Sequence, residues 1–242
     1  SGWGYHLAKK GFKWVFLAHG TFQPTYLAQK WVKKIIYYHL YEKKVLAHTT
    51  VIRAISTPEK INLAKRFPGK EVVLIPNGCA IAKETAARGK KEKIAFLYMS
   101  RLHHQKHPVQ LAEAWSRSSL HNNPHYQLHI AGPDDGELTK LKKTLYKSGN
   151  AAYTGAVYGA SKEKLLDDAT FFILPSIGEG FPVSIVETAG RGIIPVISEG
   201  CNFPELFNNG LGIKTGTDIN GIIAALELCA GLTEKDILQN ST

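Results

Sequence analysis

Residues 170–187 read TFFILPSIGEGFPVSIVE, an apolar run followed by a glycine-containing loop and a segment with helical spacing. The run at 170–176 predicts a strand buried on both faces, and the segment at 181–191 predicts the helix that follows it. Glycines at 178 and 180 let the loop backbone approach a ligand closely, and Pro182 suits a first helical turn. Strand, loop and helix in this order are typical of an α/β domain.

The same alternation extends in both directions from this stretch, from residue 93 to about residue 230. It predicts strands at 93–100, 126–132, 151–155, 193–198 and 211–215, and helices at about 107–119, 137–148, 161–168 and 219–230. Apolar strands alternating with helices indicate a doubly wound parallel sheet, which binds ligands at the carboxyl ends of its strands. We therefore expect functional residues in the loops that begin at Ser100, Gly132, Gly155, Pro175 and Ser198.

Residues 1–77 form a shorter region of the same class, which we interpret as the C-terminal portion of another Rossmann-like domain. The pattern predicts strands at 13–20, 51–56 and 72–78 and helices at about 25–48 and 57–67. Thr57 and Pro58 suit the N-cap and first position of the second helix. Residues 78–93 are basic and lack apolar periodicity, so they are interpreted as a linker. We expect residues 94–242 to form a second Rossmann-like domain.

Composition limits the classes of partner and cofactor. Lys and Arg total 30 against 20 Asp and Glu, and a net charge of +10 favours an anionic partner such as a nucleotide phosphate or anionic lipid. We find no RNP-like aromatic sequence, zinc finger or long arginine-rich segment, so nucleic acid is not expected. The three cysteines match neither a zinc nor a disulfide pattern, and no apolar run is long enough for a bilayer. We expect a cytoplasmic protein without a metal.

Two cations follow the first strand of the larger region. Arg101 and Lys106 lie five residues apart in SRLHHQKHP, where the strand passes to a helix. A guanidinium offers phosphate oxygens a planar fork of donors and a lysine offers a mobile charge, so this pair can neutralise a diphosphate. From the pair alone, two solvated surface cations are the alternative. His103, His104 and His107 are interpreted as loop residues rather than ligands of a metal.

Two carboxylates lie eight positions apart in the loop and the helix that follow the predicted strand at 170–176. Glu179 lies in the loop and Glu187 in the helix that follows it. Eight residues advance a helix by slightly more than two turns, so both can face one cleft if Glu179 lies just ahead of the helix. A carboxylate can accept hydrogen bonds from vicinal hydroxyls. A capping role for Glu179 and a solvated position for Glu187 stay open on spacing alone.

The ordered set of motifs resembles glycosyltransferase family 4. It comprises Arg-Leu at 101–102 with the lysine at 106, AGP at 131–133, PSIGEGFPVSIVE at 175–187 and NFPEL at 202–206. The resemblance covers about residues 13–230 and implies the GT-B architecture, in which two Rossmann-like domains face across a cleft. It also implies retaining, metal-independent transfer from a nucleoside-diphosphate sugar to a saccharide or lipid-linked acceptor, as in the synthesis of cell-surface polysaccharide or glycolipid. The absence of any Asp-x-Asp motif agrees with this.

The resemblance implies roles for individual residues. Arg101 and Lys106 correspond to the diphosphate-binding pair, Glu187 to the carboxylate on the ribose hydroxyls, and Glu179 to the carboxylate that contacts the donor sugar. His19 corresponds to a histidine near the transferred sugar, with a buried structural histidine as the alternative. Further contacts to the nucleotide sugar are expected from Gly132, Val157, Tyr158, Gly180, Phe181 and Pro182.

Two departures from the family pattern lead to further expectations. The family's lysine is usually followed by glycine, whereas His107 stands here, and the charge pair is kept. The family's upstream strand with its glycine-rich loop, and its C-terminal crossing helix, have no counterpart in this sequence. We therefore expect a complete donor domain joined to a partial acceptor domain.

A non-catalytic fragment that binds nucleotide sugars is the main alternative to an enzyme. An epimerase or oxidoreductase is disfavoured because no Gly-x-Gly-x-x-Gly motif occurs.

The segment AQKWVKKIIYYHLYEKKVLAH at 28–48 combines lysines with aromatic residues at helical spacing. A basic amphipathic helix of this kind can lie in a membrane interface, which would place the protein at the inner face of the membrane. Alternatively, the apolar side that carries Trp31, Ile35 and Tyr38 packs on the sheet of its own domain.

Overall fold

The computed structural model describes residues 6–7, 9–18, 22, 36–38, 40, 43–79, 93–146, 148–232 and 236 of the chain. The chain divides into two compact units. The first comprises residues 1–77 with the short segment 178–181, and the second comprises residues 78–177 and 182–242. Each unit has its own parallel sheet.

The first unit contains a three-stranded parallel sheet in the order β1-β2-β3. The strands are β1 (Val15–Leu17), β2 (Val51–Ala54) and β3 (Glu71–Leu74), and the helices are α1 (Lys43–Ala47) and α2 (Thr57–Arg66). β1 and β2 lie within the predicted strands, while β3 begins one residue earlier than predicted.

The N-cap of α2 is Ser56, so the prediction of Thr57 is wrong. The backbone of Ser56 is extended, with φ −144° and ψ 158°, and its hydroxyl accepts a hydrogen bond from the Glu59 N–H at 3.3 Å. The carboxylate of Glu59 in turn accepts from the Ile55 N–H at 2.7 Å. Ser56 and Thr57 carry equivalent hydroxyls, and only the point at which the backbone turns into the helix selects between them.

Tyr38 packs against the apolar core of the first unit. Its ring centroid lies 6.5 Å from that of Phe67, and the guanidinium of Arg66 lies 5.1 Å from the Tyr38 ring. For this residue the structure favours packing within the unit over contact with a membrane. Trp31 and Ile35 lie outside the described residues, so the rest of the predicted amphipathic face stays untested.

The second unit contains a six-stranded parallel sheet in the order β6-β5-β4-β7-β8-β9. Its strands are β4 (Ile94–Met99), β5 (Tyr126–Ala131), β6 (Ala151–Gly155), β7 (Phe171–Leu174), β8 (Ile194–Ile197) and β9 (Ile213–Lys214). The strand order reverses between β4 and β7, which are neighbours in the sheet. The predicted doubly wound parallel α/β fold is confirmed.

Six α-helices are described in this unit: α3 (Pro108–Arg117), α4 (Leu138–Leu145), α5 (Gly159–Asp168), α6 (Val183–Ala189), α7 (Pro204–Asn208) and α8 (Ile219–Ala230). The sequence pattern predicted all of them except α7, which has five residues and is too short to show helical periodicity. α6 is shorter than the predicted 181–191 because it begins after Pro182 and ends before Gly190.

Aromatic packing holds the centre of this sheet. β7 and β8 are buried along their whole length, and the Phe96 and Phe171 rings stack with centroids 4.9 Å apart. Trp115 of α3 meets Phe96 edge-on at 5.5 Å, and its Nε1 donates to the Asn150 side chain at 3.0 Å. Full burial of one such aromatic side chain stabilises the fold by about 2 kcal/mol. The carboxyl ends of β4 and β7 therefore project from a well-packed core.

Candidate nucleotide-sugar site

The loops that follow β4 and β7 are hydrogen-bonded to each other. After β4 the chain forms a 3₁₀ turn at His104–Lys106. The carbonyl of Gln105 in this turn accepts hydrogen bonds from the Ile177 N–H at 2.9 Å and the Ser176 hydroxyl at 3.1 Å, both in the loop after β7. In an open α/β sheet, the crevice between strands at which the order reverses is the usual ligand site. Arg101 and Lys106 lie in the loop that follows β4, and Pro182 and Glu187 lie in the segment that follows β7.

The two predicted phosphate-binding cations differ in their surroundings. Lys106 is buried, with 6% of its surface exposed, so it is not a solvated surface cation. The side chain of Arg101 is 63% exposed, and its Nη1 lies 2.5 Å from Oδ2 of Asp135 in the loop after β5. Sequence reasoning did not single out Asp135, because a partner on a separate loop leaves no local pattern.

His107 takes a backbone conformation that usually belongs to glycine. Its φ of 53° and ψ of 42° lie in the left-handed region, immediately before Pro108 at the start of α3. Glycine adopts this conformation without strain, which explains why the resembled family usually has glycine after the lysine. In this chain His107 makes the same turn. Burial lowers the pKa of His107, and the backbone of Thr217 and Pro175 opposes this shift.

Backbone contacts join the loop after β5 to the loop after β4 and to the end of β6. The N–H of Leu102 donates to the Pro133 carbonyl at 2.9 Å, and the Gly132 N–H donates to the Gly155 carbonyl at 2.8 Å. Gly132 has a φ of 146°, and a Cβ at this position would lie 1.8 Å from the carbonyl oxygen of Ser100. The structure thus gives Gly132 a packing role, and its predicted contact with a nucleotide stays a prediction.

Glu187 of α6 forms an ion pair with Lys162 of α5. Oε1 of Glu187 lies 2.6 Å from Nζ of Lys162, and the side chains are 19% and 29% exposed. The alternative of a solvated helix carboxylate is therefore wrong. Sequence reasoning missed Lys162, because the two residues lie on different helices and their spacing carries no periodic signal.

Glu179 is buried, with 8% of its surface exposed, and lies in the segment 178–181 that groups with the first unit. Pro182 is the N-cap of α6 rather than a residue of its first turn, with φ −77° and ψ 102°. Because the helix begins at Val183, Glu179 does not stand just ahead of it. The helical-spacing argument for Glu179 and Glu187 is therefore wrong, and their shared role stays a prediction from the resemblance. Gly180 and Phe181 are half-buried.

The other predicted contacts lie partly along a cleft and partly outside the described residues. Val157 and Tyr158 line a cleft of about 1040 Å³ that continues along β5 and α5. Tyr158 is 76% exposed and is the N-cap of α5. His19 lies outside the described residues.

Among the residues that are described, no group of three or more His, Cys, Asp or Glu could hold a metal ion. No helix of that part of the chain has both the length and the apolar content to cross a membrane.

Two curated relatives cover most of this chain. It is 27% identical over 209 residues to a GDP-mannose:cellobiosyl-diphosphopolyprenol alpha-mannosyltransferase of Xanthomonas campestris, which covers 84% of this chain and 54% of that protein. It is also 27% identical over 209 residues to the O-antigen biosynthesis glycosyltransferase WbnH of Escherichia coli, which covers 86% of this chain and 58% of that protein. The chain therefore spans just over half the length of these relatives.

Solved structures show the same architecture. A sucrose-phosphate synthase from Thermosynechococcus elongatus matches with a TM-score of 0.75 and 18% identity, over 99% of this chain and 65% of that one. HepE of Anabaena, solved with UDP and glucose, matches with a TM-score of 0.74 and 17% identity, over 98% of this chain and 68% of that one. At these identities the likeness shows the fold, that of GT-B glycosyltransferases. The family of glycosyl transferases group 1 matches residues 81–227, and this chain belongs to it.

Proposed function

We propose that this chain binds a nucleoside-diphosphate sugar and, with the rest of its protein, transfers the sugar with retention and without a metal. The acceptor is a saccharide or a lipid-linked sugar, and the name of the Xanthomonas relative, which acts on a cellobiosyl-diphosphopolyprenol, supports this. Membership of glycosyltransferase family 4 belongs to this proposal. So do a role in cell-surface polysaccharide or glycolipid synthesis, a cytoplasmic location and a peripheral contact with the membrane.

The observation that carries the proposal is the position of Lys106. Lys106 is buried in the turn after β4, and Gln105 beside it is bonded to the loop after β7. Lysine is seldom buried, so its place at the reversal of strand order calls for a functional reason. Arg101 adds a second positive charge on the same loop. Two cations at this edge of the sheet suit a diphosphate.

In the proposed mechanism the protein supplies charge and orientation. Arg101 and Lys106 neutralise the diphosphate as its bond to the sugar breaks, and this stabilisation grows as the leaving group gains charge. The departing phosphate takes the proton of the acceptor hydroxyl on the same face of the sugar. Glu187 accepts hydrogen bonds from the ribose hydroxyls, and Glu179 contacts the donor sugar.

A thermal-shift screen with UDP, GDP and ADP tests donor binding. A ligand that binds only the folded chain raises its apparent stability, by about 2.7 kcal/mol at a concentration of one hundred times Kd. We expect one of the three nucleotides to raise the unfolding temperature clearly more than the matching free nucleoside. No stabilisation by any of them at millimolar concentration would contradict the proposal.

The second candidate is a chain that binds nucleotide sugars but does not turn them over. The observation that favours it is length, because the chain covers 54% and 58% of the two curated relatives. Hydrolysis and transfer of labelled nucleotide sugar by this chain and by a longer chain of the same protein separate the two candidates. Turnover by the longer chain alone supports the binding module. Turnover that survives EDTA and yields the donor's anomer supports metal-independent retaining transfer.

A further inference from the structure

The ion pair between Lys162 and Glu187 joins two different parts of the proposed nucleotide site. Lys162 lies on α5, four residues after Tyr158, which is an expected contact to the nucleotide sugar. Glu187 lies on α6, where it is expected to meet the ribose. The two side chains are 2.6 Å apart and largely withdrawn from solvent. A partly buried pair of this kind is less screened by water and salt than an exposed one.

The geometry leaves Glu187 able to bind a ligand. The ammonium group of Lys162 hydrogen-bonds to Oε1, and an ionised carboxylate has about four acceptor positions on its two oxygens. The carboxylate can therefore accept from Lys162 and from hydroxyl groups at the same time. The positive charge also offsets the carboxylate's charge, which would otherwise repel the phosphates of a nucleotide.

A second ion pair independently joins α5 to the turn that follows α6. Arg191, in the turn after α6, lies 2.8 Å from the Glu163 carboxylate of α5, and its side chain is 12% exposed. The packing of α5 beside α6 therefore does not depend on Lys162 alone. Loss of the Lys162 ammonium is expected to leave the fold in place and to act on Glu187.

We propose that Lys162 is a positioning residue of the nucleotide site, which orients Glu187 for the ribose hydroxyls and offsets its charge beside the phosphates. This inference rests on the proposed function, because it assumes a ribonucleotide as ligand. It predicts that Lys162, which does not itself contact the ribose, controls the discrimination between ribose and 2′-deoxyribose.

The test compares Lys162→Met with Lys162→Arg, which keeps the charge, and with Lys143→Met as a control. Lys143 lies on α4, is exposed and does not line the cleft that holds Val157 and Tyr158, so its loss removes the same charge without touching the ion pair. The ligands are the nucleotide among UDP, GDP and ADP that the wild-type chain binds best, and its 2′-deoxy form. We expect Lys162→Met to lower affinity for the ribonucleotide roughly tenfold and to abolish most of its preference over the deoxy form. Lys162→Arg and Lys143→Met should keep that preference.

A double-mutant cycle with Glu187→Ala shows whether Lys162 acts through the carboxylate. If it does, adding Lys162→Met to Glu187→Ala causes little further loss of affinity. Lys162→Gln also removes the charge, and we expect it to behave like Lys162→Met. If one of these two variants does not fold, the other provides the test.

Each outcome separates this inference from the proposed function. If the wild-type chain binds a ribonucleotide and both neutral variants keep the ribose preference, the inference fails and the proposed function stands. Equal losses for ribo- and deoxyribonucleotide, or additive losses in the cycle, also overturn it. If the wild-type chain binds none of the three nucleotides, the proposed function fails first and the inference with it.

Discussion

The carbonyl oxygen of Ser100 lies 1.8 Å from the position that a Cβ of residue 132 would occupy, so the loops after β4 and β5 meet at Gly132 without room for a side chain. We expect Gly132→Ala to lower the free energy of unfolding by about 3 kcal/mol or more, since both backbones would have to separate. Gly136→Ala is the control, because Gly136 also has positive φ, at 101°, but nothing lies within 4 Å of its added Cβ. It should cost about 1 kcal/mol. Urea unfolding measures both, and equal losses would show that the contact with Ser100 is unimportant.

The cations after β4 give a prediction for ligand binding. Arg101→Ala and Lys106→Ala should each weaken binding of the nucleoside diphosphate by about 1.5–3 kcal/mol, the usual contribution of a hydrogen bond to a charged group. Binding of the free nucleoside should change little, because it has no phosphate to contact. Isothermal titration calorimetry with both ligands measures the difference. A similar loss for nucleoside and diphosphate would mean that the cations support the fold of the site instead.

The two carboxylates should separate nucleotide binding from use of the sugar. Glu187→Ala should weaken nucleotide binding and remove the preference for ribose over 2′-deoxyribose, because the hydroxyl acceptor is lost. Glu179→Ala should leave that preference intact and mainly reduce the use of the donor sugar. Titration with ribo- and deoxyribonucleotides, followed by turnover assays on a chain that is active, tests this pair. Persistence of the ribose preference in Glu187→Ala would rule out the ribose role.

Partial burial of His129 on β5 leads to a prediction about pH. Desolvation lowers its pKa from the usual 6.5, and the nearby Asp168 carboxylate opposes this shift. The unfolded chain then binds the proton more readily than the folded one. The pKa difference at His129 therefore leaves the free energy of unfolding at its full value above about pH 6.5. That free energy is lowered as the pH falls from there through the lower folded pKa. Between about pH 7.5 and pH 5, His129→Gln should lose less unfolding free energy than the wild type in chemical denaturation. Identical losses would show that His129 does not contribute.

Vesicle binding distinguishes the two interpretations of the basic segment 28–48. Each lysine near an anionic surface adds about 1 kcal/mol of attraction, which salt screens. If the segment docks on membranes, the chain should co-sediment with anionic vesicles at low salt, and neither with neutral vesicles nor at high salt. If the folded protein does not bind anionic vesicles at low salt, packing within the first unit, as seen for Tyr38, accounts for the segment.

Local patterns in the sequence were sufficient to predict the second sheet and the position of its candidate site. The buried run at 171–174 became β7, and the strands before and after it were predicted to within a few residues. Continuous apolar runs predict strands of a parallel sheet because helices cover both faces of such a sheet, so successive residues of a strand are all buried. Parallel strands also place their carboxyl ends at one edge. Arg101 and Lys106 after β4, and the loop after β7, could therefore be assigned to the same side of the sheet from sequence alone.

Contacts between distant residues were decided by the tertiary structure. Neither the burial of Lys106 nor the pairing of Lys162 with Glu187 leaves a trace in spacing, since each depends on which loops and helices meet. The choice of Ser56 over Thr57 as N-cap, and the start of α6 after Pro182, depend on where the backbone enters each helix. The sequence determined which chemical groups stand at the ends of the strands. The folded chain determined their charge partners and their exposure, because the energies of ion pairing and burial arise only when separate segments come into contact.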